Sequence, residues 1–231
     1  MSRPDVMKTA LLFDLDGTLV DSDAEHLAAF RRVFAPHGVT LDRSEYAAHI
    51  MGAPNEMIAS RYLAHLSLPE QAAILDAKEA AYRDALGEIE PILGALALLD
   101  YADRRGLKRA VVTNAPRANA EKVLAALGIG PRLPIVVIGG ELQRSKPDPL
   151  PYLTALERTG AVAAHSLAFE DSLSGVRSAA AAGLAVVGMT TTLDPRNLID
   201  AGATFAASNF TDPRIFELIE ARLTSSAEEG A

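Results

Sequence analysis

The chain has 231 residues, room for one large domain or two modest ones, and 49% of them are hydrophobic, enough for a sizeable core. No apolar run approaches the roughly 20 residues needed to span a bilayer, and the absence of cysteine excludes disulfides and thiolate metal sites. The formal charge of −8 argues against nucleic acid as a partner and makes any anionic substrate depend on a cation and a few placed basic groups.

The opening segment, Met-Ser-Arg-Pro-Asp-Val-Met-Lys, lacks the apolar centre of a secretory signal, so a cytoplasmic location is expected. The first element is the apolar run Thr9-Ala10-Leu11-Leu12, which reads as a buried strand. It runs into Phe13-Asp14-Leu15-Asp16-Gly17-Thr18-Leu19-Val20, where two carboxylates stand two residues apart at the strand's end. In open α/β sheets the ligand crevice lies beyond the carboxyl ends of the strands. Buried carboxylates are costly unless paired or metal-bound, so packing alone explains them poorly. Gly17-Thr18 allows a sharp turn whose N–H groups can face an anion. A strand-ending turn accounts for a lone Asp-x-Asp, since Asp and Gly are common there.

Residues 22–90 contain no convincing strand. Apolar positions at helical spacing predict helices over 24–34, 44–49, 55–65 and 69–86. From Pro91 the pattern changes. Helices over 94–105, 117–127, 150–159 and 174–182 lead in turn to strands over 110–113, 134–138, 166–169 and 184–188. This βαβα alternation predicts an α/β fold, a doubly wound parallel sheet with helices on both faces. The helical block is then an insertion after the first strand, with hinges near Val20-Asp21-Ser22 and Glu90-Pro91-Ile92. That division places the α/β core at 1–20 and 92–231 and the helical segment at 21–91. The small, polar stretch 224–231 is expected to fray.

Asp14-Leu15-Asp16-Gly17-Thr18-Leu19 resembles the opening motif of the haloacid dehalogenase superfamily, mostly phosphatases and phosphomutases. Val111-Val112-Thr113-Asn114, Ser145-Lys146-Pro147-Asp148-Pro149 and Phe169-Glu170-Asp171-Ser172 resemble its later motifs, in the same order. The resemblance implies a Rossmann-like core with an α-helical cap that covers the site and selects the substrate. It implies Asp14 as nucleophile, Asp16 as general acid then base, and Lys146, Thr113 and Asn114 as phosphate ligands. It also implies Mg²⁺, held by Asp14, the backbone carbonyl of Asp16, Asp171 and Glu170, the last directly or through water. These residue types suit the chemistry, because a carboxylate can attack phosphorus and Mg²⁺ prefers oxygen ligands.

Asp21-Ser22-Asp23-Ala24-Glu25-His26 resembles the first cap helix of the β-phosphoglucomutase-like branch, which makes His26 a candidate site residue. The basic residues with which mutases of that branch grip a second phosphate are missing from Met51-Gly52-Ala53-Pro54-Asn55; Arg117 is the one nearby substitute. The expected function is therefore a Mg²⁺-dependent phosphatase for a small phosphorylated metabolite, a sugar phosphate or phosphoglycolate-like compound, with no nucleic-acid, membrane or protein partner. The alternatives are a β-phosphoglucomutase-type mutase and, from another class, a non-catalytic metabolite-binding module.

Overall fold

The computed structural model describes residues 8–229, with side chains through Thr224; the segment read for a secretory signal lies almost wholly outside them. Six strands form one parallel sheet: β1 (Ala10–Phe13), β2 (Lys108–Thr113), β3 (Ile135–Ile138), β4 (Leu167–Glu170), β5 (Ala185–Met189) and β6 (Phe205–Ala207), in the order β3-β2-β1-β4-β5-β6. The order reverses at β1, so the switch-point crevice opens beyond the ends of β1, β2 and β4.

Both sheet faces are covered, and strand alternation divides the core in two. Leu11, Phe13, Val111, Phe169 and Val187 face α5 (Ala95–Arg105), α6 (Arg117–Ala126) and α10 (Pro213–Glu229). Leu12, Ala110, Val112, Ala168 and Val186 face α7 (Leu150–Thr159), α8 (Leu173–Ala181) and α9 (Pro195–Ala201). Phe13 pairs in register with Phe169, and their rings stack at 4.9 Å, which fixes the neighbouring strand ends that carry the acidic residues.

Between β1 and β2 lie four helices, α1 (Asp23–Phe34), α2 (Arg43–His49), α3 (Asn55–Tyr62) and α4 (Leu68–Ala85). They close around their own apolar cluster, Leu27, Phe30, Phe34, Tyr46, Ile58, Leu63 and Leu75 among others. Ser67 and Glu70 form a capping box at the start of α4, and Asp42 accepts from Glu45 N at the start of α2. At the neck, Val20 and Pro91 form an antiparallel bridge, and Ile92 N donates to Leu19 O at 2.9 Å.

The sequence reading differs from the structure at the C-terminal end. It stops at the fifth strand, whereas α9, β6 and α10 extend the sheet and its cover. β6 is a three-residue edge strand, too short for periodicity to reveal. Of the stretch expected to fray, 224–229 continue α10, and 230–231 lie outside the described residues.

Candidate active site

Beyond β1 and β4, the carboxylates of Asp14, Glu170 and Asp171 are buried together, with one oxygen of each within 4.8 Å of the others. Asp14 is held by its backbone N–H, which donates to Phe169 O at 2.9 Å. Lys146 reaches in from the loop before α7. Its Nζ donates to Asp14 Oδ1 at 2.6 Å, Glu170 Oε1 at 2.5 Å and Val112 O at 2.6 Å. Tyr152 Oη donates to Glu170 Oε1 at 2.6 Å, and Thr18 Oγ1 donates to Asp171 Oδ1 at 3.2 Å.

Three buried carboxylates face one ammonium. Burial and mutual repulsion push both Asp14 and Asp171 above the usual carboxylate range, against the opposing pull of Lys146. Burial alone would depress the Lys146 ammonium; Asp14 and Glu170 outweigh it and raise its pKa. The surplus negative charge and the all-oxygen donor set fit a hard divalent cation such as Mg²⁺. Gly17 sits at φ +76°, and a Cβ there would fall 2.2 Å from Asp171 Oδ2, so the turn places backbone where no side chain fits.

Asp16 turns towards the helical insert. Its Oδ1 accepts from Ser22 Oγ at 2.6 Å and Tyr82 Oη at 3.1 Å, and lies 3.4 Å from His26 Nε2. Burial would raise its pKa, but His26 and these hydroxyls hold it down at about 2. His26 stacks on Tyr82, ring centroids 3.8 Å apart, and its Nδ1 lies 3.0 Å from Lys78 Nζ. Lys78 is itself buried, 3.1 Å from Glu79 Oε2 and over the Phe30 ring at 4.4 Å. Burial pulls its ammonium below the usual lysine range, with Glu79 opposing.

These groups line a cavity of about 90 Å³ between the sheet ends and the insert. Asp14, Asp16, Asp171, Lys146, His26, Thr113 and Asn114 all border it; Glu170 stands behind Lys146. Thr113 Oγ1 accepts from Ala115 N at 3.0 Å, and Asn114 Oδ1 accepts from Lys146 N at 3.3 Å. Arg117 is not brought to this cavity. It lies half-exposed on α6, in a two-pronged pair with Glu141 at 2.8 and 2.7 Å, because that carboxylate is nearer and geometrically matched.

Sequence reasoning missed Asp23, Tyr46, Lys78, Glu79 and Tyr82, which complete the insert's side of the cavity and its support. Lys78 left one trace: it stands three residues after Leu75 and four before Tyr82, on the buried stripe of α4.

A doubly wound sheet whose switch point carries a buried carboxylate–lysine cluster, roofed by a helical insert, defines an α/β hydrolytic enzyme with a metal-competent centre. The sequence pattern described as haloacid dehalogenase-like hydrolase matches residues 11–189, and the chain belongs to that family. It is 33% identical to validoxylamine A 7'-phosphate phosphatase of Streptomyces hygroscopicus subsp. limoneus, over 84% of this chain and 92% of that one. It is 35% identical to the protein CbbY of Rhodobacter capsulatus, over 77% and 83% respectively. It also superposes on a CbbY variant from Rhodobacter sphaeroides, crystallised with xylulose-(1,5)bisphosphate, with TM-score 0.75 and 31% identity over 88% of this chain and 95% of that one.

Proposed function

We propose that the chain is a Mg²⁺-dependent phosphatase that hydrolyses a small phosphorylated metabolite, a sugar phosphate or phosphoglycolate-like ester, through an aspartyl-phosphate. The observation that carries this reading is the buried Asp14–Lys146–Asp171 cluster at the sheet's switch point, bordering the cavity beneath the insert. Residues 21–91 act as a cap over a core formed by 1–20 and 92–231. The relatives support the substrate class: one is named for a phosphate ester, and another holds a sugar bisphosphate.

In this mechanism an Asp14 oxygen attacks phosphorus, the ester P–O bond breaks, and the leaving oxygen takes a proton from Asp16. Water then attacks the aspartyl-phosphate, giving its proton to Asp16 and releasing inorganic phosphate and free Asp14. Asp16 is held as a carboxylate by three neighbours, the form needed for the second step. An incoming phosphate dianion raises its pKa and favours the protonated form needed for the first. Lys146, the Thr113 hydroxyl and the Asn114 N–H hold the transferring group. His26, between Asp16 and Lys78, ties cap position to the proton-transferring carboxylate. Mg²⁺ bound by Asp14, the Asp16 carbonyl, Asp171 and Glu170 would neutralise charge between nucleophile and phosphate. Arg117, committed to Glu141, has no part in it.

Phosphorus NMR of products from hexose phosphates, with and without added bisphosphate, tests the reading. The expected product is inorganic phosphate; chelation stops its release and Mg²⁺ restores it. Bisphosphate-activated isomerisation with little phosphate released would establish a mutase instead.

A further inference from the structure

The insert's wall of the cavity has a charge pattern of its own. Asp23, in the first turn of α1, is buried and borders the cavity. Its Oδ1 accepts from Tyr46 Oη at 3.1 Å, and its Oδ2 accepts from Thr192 Oγ1. One donor belongs to α2 and the other to the segment after β5, so the carboxylate is held from both the insert and the core. An ionised carboxylate offers about four acceptor positions, and these two bonds leave capacity for donors on a ligand.

The insert's one bordering ammonium, Lys78, is matched by Glu79 at 3.1 Å. Glu79 is fixed in turn by Asn119 Nδ2 at 2.6 Å and Asn55 Nδ2 at 3.2 Å. On the core side, Lys146 is engaged by Asp14 and Glu170. The insert's wall thus sets two carboxylates, Asp23 and Glu79, against the Lys78 ammonium, while the His26 ring is engaged by Asp16. A second phosphate or a carboxylate on the substrate would meet like charge there, with no uncommitted cation among the bordering residues. Hydroxyl groups meet the opposite: a fixed, buried acceptor in Asp23 and amide groups of Asn55 and Asn114.

We infer that the insert's half of the cavity takes a neutral, polyhydroxylated leaving group, with Asp23 accepting hydrogen bonds from its hydroxyls, and rejects leaving groups that carry a carboxylate or a second phosphate. The inference rests on the phosphatase reading and decides between the two substrate kinds that reading leaves open.

The test compares kcat/KM of the wild-type enzyme with Mg²⁺ on sorbitol 6-phosphate, 2-phosphoglycolate, fructose 1,6-bisphosphate and p-nitrophenyl phosphate. The polyol monophosphate should exceed both acidic substrates by about thirtyfold or more, as expected for a site built around one hydrogen-bonding acceptor. In Asp23→Asn the polyol-to-aryl ratio of kcat/KM should fall about tenfold, chiefly through KM, as a charged acceptor is lost. The phosphoglycolate-to-aryl ratio should rise in the same variant. A wild-type preference for 2-phosphoglycolate or the bisphosphate overturns the inference and leaves the phosphatase reading standing. An unchanged polyol-to-aryl ratio in a folded Asp23→Asn also overturns it. Absence of phosphate release from every ester, the aryl ester included, overturns both.

Discussion

At the scale of single residues, the site is a problem in charge. Asp14 and Asp171 are buried with Glu170, and among the described residues Lys146 is the cation paired within the cluster, to Asp14 and Glu170. Removing the charge of the proposed nucleophile while keeping its shape separates chemistry from folding. Asp14→Asn should therefore lower turnover by about a thousandfold or more and abolish phosphoryl labelling, in keeping with loss of a covalent nucleophile. Its far-ultraviolet circular dichroism should be unchanged; substantial turnover by the folded variant would remove Asp14 from the nucleophile's role. Asp171 and Asp148 provide a matched pair for the metal. Asp148 is occupied by Leu150 N at 2.9 Å and Arg144 at 3.0 Å, away from the cluster. Asp171→Ala should raise the Mg²⁺ concentration needed for half-maximal activity by at least about tenfold, whereas Asp148→Ala should leave it within about twofold. Equal shifts would reject the ligand assignment.

At the scale of elements, the turn after β1 shows how backbone geometry serves the carboxylates. Gly17→Ala would place a methyl group against Asp171 at a positive φ that L-residues avoid. It should destabilise the fold by about 1–3 kcal/mol and weaken Mg²⁺ dependence. Thermal unfolding and metal titration would show the pair of effects; a melt and metal affinity like those of wild type would show that Asp171 moves aside freely. The strands that lead to Asp14, Thr113 and Glu170 are legible in the sequence because each carries a buried apolar run, residues 10–13, 110–112 and 167–169, followed directly by the polar residue. Lys146 is legible by its motif, not by its surroundings. The cap side is much less so. Asp23 and Lys78 become cavity residues only once α1 and α4 pack together and Tyr46 and Thr192 arrive from elsewhere in the chain. Local periodicity registers that a helix has a buried stripe, but not that a charged group on it meets a side chain many residues away, as Lys78 meets His26. β6 fails for the simpler reason that three residues hold no period.

At the scale of the whole molecule, insert and core meet through apolar packing of Ala29, Ala81 and Tyr82 against the sheet's cluster and through a set of polar contacts. Ser174 Oγ donates to Gly52 O at 2.7 Å, while Asn119 on α6 accepts from Arg83 Nη1 at 2.7 Å and donates to Glu79 at 2.6 Å. Asn119 is fully buried, so Asn119→Leu would leave Arg83 and Glu79 each short of a partner. That should cost the closed arrangement about 1–3 kcal/mol. Faster amide exchange along α4 and a KM raised by about tenfold are expected from hydrogen exchange and steady-state kinetics. Exchange and KM identical to wild type would show that this contact does not hold the insert.

The neck carries a consequence for how such enzymes diversify. Val20 and Pro91 already lie side by side, and the insert's apolar cluster draws on no residue of the sheet. The segment between them is therefore an interchangeable part. A longer, shorter or unrelated helical graft would leave the path from β1 to β2 unaltered, and the entropic penalty of a longer excursion grows only logarithmically with its length. A lineage could thus exchange its appetite for one ester or another as a unit, while the buried cluster around Asp14 stayed on a chassis that never had to be rebuilt.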